Sequence, residues 1–166
     1  RSRLKEVHAV RYADDFKIFC PTHAEAVKAY KATEMWLEDR LGLDISPDKS
    51  KVVNLKRQYS DFLGFKLKVR KKGKKYIVRS HMCDKAYKKA HEKLTKEVKT
   101  LAHSPDDTAQ FIQLQKYNSV VAGLHEYYCI ATETTADFGK LAFSINKQLR
   151  NRLKGDVSRK GSLKNG

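Results

Sequence analysis

The stretch Val7-His8-Ala9-Val10-Arg11-Tyr12-Ala13-Asp14-Asp15-Phe16-Lys17-Ile18-Phe19-Cys20 decides how this chain is read. Two short apolar runs flank a polar break, Tyr12 to Asp15, and that pattern predicts a β-hairpin. Its tip carries two adjacent carboxylates, Asp14 and Asp15. Asp suits tight turns because its side chain hydrogen-bonds nearby backbone, and this alone explains many such pairs. The second explanation is a cation. Two acids this close repel one another unless a positive charge lies between them, and hard carboxylate oxygens suit Mg²⁺.

Working outward, Thr22 and Glu25 are spaced as a capping box for a helix starting after Pro21. Val27, Tyr30, Leu37 and Leu41 recur at helical spacing, widened by Ala29 and Trp36, and Gly42 is placed to end the helix in a left-handed turn. Ser46-Pro47-Asp48-Lys49 predicts a turn, and Lys51-Val52-Val53-Asn54-Leu55 a short strand. Phe65 to Val69 alternates apolar and basic. With Tyr76-Ile77-Val78-Arg79 it predicts a second hairpin, closed by a basic loop Arg70-Lys71-Lys72-Gly73-Lys74-Lys75. The pattern turns from strand to helix near Ser80 to Asp84.

Three helices are then expected, over about residues 85–101, 108–130 and 136–153, with Ser104-Pro105-Asp106-Asp107 as the break between the first two. The second carries Phe111, Leu114, Val121, Leu124 and Tyr128; the third carries Phe138, Leu141, Ile145, Leu149 and Leu153. Single apolar stripes of this kind pack as a small bundle. The expected class is α+β: antiparallel hairpins with one helix, then a three-helix bundle. The expected segments are residues 1–80, 81–154 and a flexible Gly, Ser, Lys and Asn tail at 155–166. Residues 3–10 already read as a strand, as expected for a piece of a larger protein.

The chain has 35 Lys and Arg against 19 Asp and Glu, a formal net charge of +16. Such a field attracts phosphate backbones and releases their counterions on binding. On the first bundle helix Lys85, Lys88, Lys89, Lys93, Lys96 and Lys99 fall in one sector, interrupted only by Glu92, with Tyr87, Leu94, Val98 and Leu101 opposite. A run of lysines is often just a solvated face, but this continuity points to contact with nucleic-acid phosphates. The loop Arg70 to Lys75 is expected to add to it. No stretch approaches the roughly 20 apolar residues of a membrane span, and no membrane partner is expected. Cys20, Cys83 and Cys129 are odd in number and far apart, which predicts reduced thiols in a cytoplasmic protein. The six histidines show no ligand spacing.

Arg11-Tyr12-Ala13-Asp14-Asp15-Phe16 resembles the catalytic hairpin of reverse transcriptases. Leu43 to Lys51 is similar to the next palm motif of that family, and Phe62-Leu63-Gly64-Phe65 to the segment after it. Tyr117-Asn118, Gly123-Leu124 and Tyr127-Tyr128 resemble the thumb, or maturase X region, of group II intron-encoded proteins. The resemblance runs to about Leu153 and rests on four motifs in order. It implies RNA-templated DNA synthesis with two Mg²⁺ ions about 4 Å apart. Asp14 is then the principal ligand, and Asp15 a ligand or its support. Tyr12 and Ala13 lie beside the primer end, and Lys49 near the incoming triphosphate. Phe62, Leu63, Gly64 and Phe65 form a surface against the primer.

The partners implied are intron RNA, an RNA template with a DNA primer, and deoxynucleoside triphosphates. The family also needs a further Asp from an earlier palm strand, and fingers, so a missing segment is expected in cis or in trans. On this reading residues 1–80 are palm and 81–154 thumb, and the chain by itself is expected to be inactive. A non-catalytic RNA-binding module, and a reverse transcriptase of the retron or diversity-generating type, are the alternatives.

Overall fold

The computed structural model describes residues 8–153, so the expected tail and the first residues of the opening strand lie outside the described residues. The chain divides into two compact units, meeting at Tyr59 and Ser60. The described residues hold two small antiparallel sheets and four helices, an α+β architecture.

In the first unit β1 (His8–Tyr12) pairs antiparallel with β2 (Asp15–Phe19), in a register that sets Tyr12 opposite Asp15. Helix α1 (His23–Leu41) follows. Thr22 caps it, accepting from the Glu25 amide at 3.3 Å while its hydroxyl donates to the Glu25 carboxylate at 3.1 Å. Gly42 ends it at φ 60°, where a residue with a Cβ is strained. Val27, Ala29, Tyr30 and Leu37 are half-buried, whereas Leu41 and Trp36 are exposed. None of the described residues of this unit is buried, and Val10, Phe16, Met35 and Trp36 stand open.

Two expectations fail here and just beyond. Residues 51–55 form no strand. Asn54 accepts from the Lys56 amide through its side chain, and from the Arg57 and Gln58 amides through its carbonyl. This local Asx geometry competes with strand pairing and wins. The basic loop at 70–75 is mostly strand: β4 (Phe65–Lys72) and β5 (Lys75–Met82) pair up to Lys72 opposite Lys75, leaving only Gly73 and Lys74 as the turn. Gly73 at φ 60° makes that two-residue turn possible, and the cations on either side are no obstacle to extended backbone.

The second unit opens with β3 (Ser60–Phe62), at the edge of a sheet ordered β3-β4-β5. Helices α2 (Asp84–Ala102), α3 (Asp107–Tyr128) and α4 (Thr134–Arg152) follow, close to the expected spans. Asp106 caps α3 through the Ala109 amide. The core is made by Leu94, Val98 and Leu101 of α2 with Leu141, Ile145 and Leu149 of α4, joined by Met82, Tyr128 and Leu153. Burial of each such side chain stabilises by about 1.5–3 kcal/mol. Leu114, Val121 and Leu124 pack on this core from α3, but Phe111 is 60% exposed and takes no part.

The sheet joins the bundle through polar contacts. Thr132 and Ser80 exchange hydrogen bonds, backbone amide to hydroxyl in each direction at 2.9 Å, so the α3–α4 connection closes part of the β5 edge. Asp137, buried, accepts from the Met82 amide at 2.8 Å and is paired with the His81 ring at 3.0 Å. The strand-to-helix change near Ser80 to Asp84 thus lies inside the second unit.

Candidate functional site

The hairpin tip of the first unit is a two-residue turn, Ala13-Asp14. Ala13 has φ 52° while Asp14 does not share the left-handed region, the pattern of a type II′ turn. A left-handed Ala costs about 1–2 kcal/mol. The Arg11 Nε donates to the Ala13 carbonyl at 2.7 Å and helps hold this conformation. Asp14 therefore sits on the turn and Asp15 on the first paired rung, across from Tyr12, with both carboxylates exposed. Strand alternation puts Tyr12 and Asp15 on the same face.

Lys49 occupies a separate turn, its amide donating to the Ser46 carbonyl at 3.2 Å and its side chain exposed. It makes no hydrogen bond or ion pair with Asp14 or Asp15. Among the described residues no group of three or more His, Cys, Asp or Glu is arranged to hold a metal.

Phe62, Leu63, Gly64 and Phe65 also form a tight hairpin. Phe62 pairs with Phe65, and Leu63 (φ 49°) and Gly64 (φ 80°) are both left-handed, as a type I′ turn requires. This turn is clamped from within its own unit. The Tyr127 hydroxyl donates to the Leu63 carbonyl at 3.0 Å, and the Cys83 amide to the Gly64 carbonyl at 2.8 Å. Phe65 stacks on Tyr127 at 5.6 Å and meets Tyr128 edge-on at 5.1 Å. A Cβ on Gly64 would stand 3.0 Å from the Tyr128 hydroxyl. Burial, with Tyr127 and Cys83 as smaller contributors, raises the Tyr128 phenol above its usual range.

On α2 the six predicted lysines, Lys85, Lys88, Lys89, Lys93, Lys96 and Lys99, are all exposed. Glu92 lies 3.9 Å from Lys88 and neutralises little at that exposure. Glu97, the other acid of this stretch, turns inward to Gln113 and Lys116. A groove of about 380 Å³ runs between Gly64, Leu124 and Tyr128 on one side and Lys85, Lys89 and Lys93 on the other. The structure thus brings the Leu63-Gly64 turn and the lysine face to one groove. Arg70, Lys71, Lys72, Lys74 and Lys75 lie on the β4–β5 ribbon instead, all exposed.

Sequence reasoning missed the clamp and the Asp137 contacts. Tyr127 and Tyr128 stood out only by resemblance, since adjacent tyrosines at a helix end carry no pattern of their own. Asp137 left a usable trace: an acid beside Phe138, at the start of an otherwise apolar stripe.

Residues 1–67 match the family model described as reverse transcriptase (RNA-dependent DNA polymerase). The match takes in the Tyr12–Asp15 hairpin, α1, the Lys49 turn and the Leu63-Gly64 turn. No curated protein matches the chain. The matched segment supports a reverse-transcriptase-like function, in a family that joins nucleotides on an RNA template and generally uses Mg²⁺. No helix among the described residues is long and apolar enough to cross a membrane.

Proposed function

We propose that the chain carries the later part of a reverse transcriptase palm followed by a thumb, of the group II intron type, with a maturase role in splicing its intron RNA. One observation carries the reading: two exposed carboxylates at the tip of a tight hairpin, inside the segment that matches the reverse transcriptase family. The boundary between palm and thumb falls near Ser80, and the protein works in the cytoplasm.

Asp14 and Asp15 fit part of a Mg²⁺ site, because that ion is commonly held by one or two carboxylates together with substrate phosphates. The bound ion supplies charge stabilisation for phosphoryl transfer. Asp14, on the turn, would be the principal ligand, and Asp15, on its rung with Tyr12, a ligand or its support. Tyr12 and Ala13 border the primer end, Lys49 attracts the triphosphate, and the clamped Leu63-Gly64 turn offers a rigid backbone edge to the primer. A third carboxylate comes from a fingers and palm segment in cis or in trans.

Primer extension tests this. The chain alone is expected to extend no primer. Robust extension that is lost in Asp14→Ala would show that no further acid is needed. Magnesium titration followed by NMR is expected to shift the Asp14 and Asp15 amides weakly and together; unmoved amides would remove the metal role. A second reading, an RNA-binding module without catalysis, is favoured by the lysine face of α2, which needs no acid to act.

A further inference from the structure

The register of β4 and β5 sets Lys66 opposite His81, Lys68 opposite Arg79, Arg70 opposite Ile77 and Lys72 opposite Lys75. Directly opposed residues share a face, so Lys66, Lys68, Arg70, Lys72, Lys75 and Arg79 lie on one side of the ribbon. Successive cations along β4 are about 7 Å apart. The acids placed on this side lie at its base: Asp61 stands opposite Lys66, which pairs with Asp84, while Asp137 pairs with His81 at 3.0 Å and Glu133 with Arg79 at 3.2 Å. From Leu67 to Arg79 there is no Asp or Glu. The outer part, Arg70, Lys72 and Lys75, is exposed.

We propose that this face is a second nucleic-acid surface, distinct from the α2 lysines, and that it grips the phosphates of double-helical RNA. The inference rests on the nucleic-acid reading above and adds the form of the ligand. Two features select it. Proteins that bind single strands combine cations with aromatic platforms for the bases. The ribbon's basic face has no Phe, Tyr or Trp, and its one tyrosine, Tyr76, lies opposite Lys71 on the other face. A-form duplexes are recognised mainly through backbone and shape, which a rigid row of cations matches without reading bases. An acidic protein would offer a lower and less regular density of charge.

The test uses the whole chain and a blunt RNA duplex of about 16 base pairs, the span typical of double-strand binders. A single strand of the same length runs beside it, with anisotropy followed across a salt series. Arg70→Glu, Lys72→Glu and Lys75→Glu combined should weaken duplex binding at least about tenfold and reduce the salt slope by roughly two to three. The loss on the single strand should be smaller. The corresponding Gln triple variant, with an unchanged circular dichroism spectrum, should lose less than the Glu variant. Unchanged duplex affinity overturns the proposal. So does an equal or greater loss on the single strand, or displacement of the duplex by polyglutamate at matched charge. The Lys89, Lys93 and Lys96 to Glu variant is measured in parallel. If it binds normally while the ribbon variant does not, the α2 reading fails and the ribbon stands; if only the ribbon variant binds normally, the ribbon fails alone.

Discussion

The Tyr127 hydroxyl reaches across 64 residues of sequence to donate a hydrogen bond to the carbonyl of Leu63. A helix end and a two-residue turn, each ordinary by itself, thereby become one rigid element, with Phe65 of β4 stacked on Tyr127 and edge-on to Tyr128. Tyr127→Phe keeps the ring stack and removes only the bond, so a loss of about 1 kcal/mol is expected in urea unfolding. Gly64→Ala should cost more, about 1–3 kcal/mol, because it combines φ 80° with a Cβ 3.0 Å from the Tyr128 hydroxyl. A Gly64→Ala protein as stable as the parent would dissolve the clamp.

The lysine face makes a salt-sensitive prediction. Lys89, Lys93 and Lys96 are exposed on one face of α2, and Lys89 and Lys93 line the groove. Changing all three to Glu should weaken RNA binding at least about tenfold at moderate salt, with the difference shrinking as salt rises. Equal affinities for parent and variant would remove α2 from the interface.

A third expectation concerns high pH. Burial raises the Tyr117 and Tyr128 phenols above the ordinary 10.0. The folded state then holds these protons more tightly than the unfolded chain does. The associated stability is fully present below pH 10 and is lost as pH climbs through the raised folded values. Tyr117→Phe should flatten this part of the stability curve. A variant whose stability falls as steeply above pH 10 as the parent's would assign the effect elsewhere.

Ala13 supplies the fourth. At φ 52° its Cβ is strained, so Ala13→Gly should stabilise the hairpin by about 1 kcal/mol, read as slower amide exchange over residues 8–19. Unchanged or faster exchange would mean that the Arg11 bond already offsets the strain.

Much of this was legible in the residues, and the exceptions have physical causes. The three bundle helices follow from apolar spacing because buried Leu and Ile at that period have one place to go, as Leu141, Ile145 and Leu149 do. The Thr22 cap and the Gly42 stop are local chemistry and were readable as such. Lys51 to Leu55 looked like a strand because propensity cannot reveal that Asn54 would satisfy its neighbours' amides first. The outer end of the ribbon, residues 70–75, was read as the hairpin's loop because charge is taken for irregularity, while pairing up to Lys72 and Lys75 needs only a glycine at the right place. The acids at the hairpin were legible as a pair. Their separation between turn and rung was not, since it depends on the left-handed φ of Ala13. The groove joining Gly64 to the α2 lysines depends on contacts far apart in sequence, which no local pattern encodes.

The absence of a buried side chain among the described residues of the first unit has a practical consequence for mutational scanning. Truncating Val10, Phe16 or Trp36 opens no cavity, so a screen scored on protein abundance should rank them with surface positions. A screen scored on RNA-dependent function would rank them by what they touch at work. Positions where the two scores part company would map the functional contacts of this half of the molecule, whereas in the α2–α4 core the two scores should fall together.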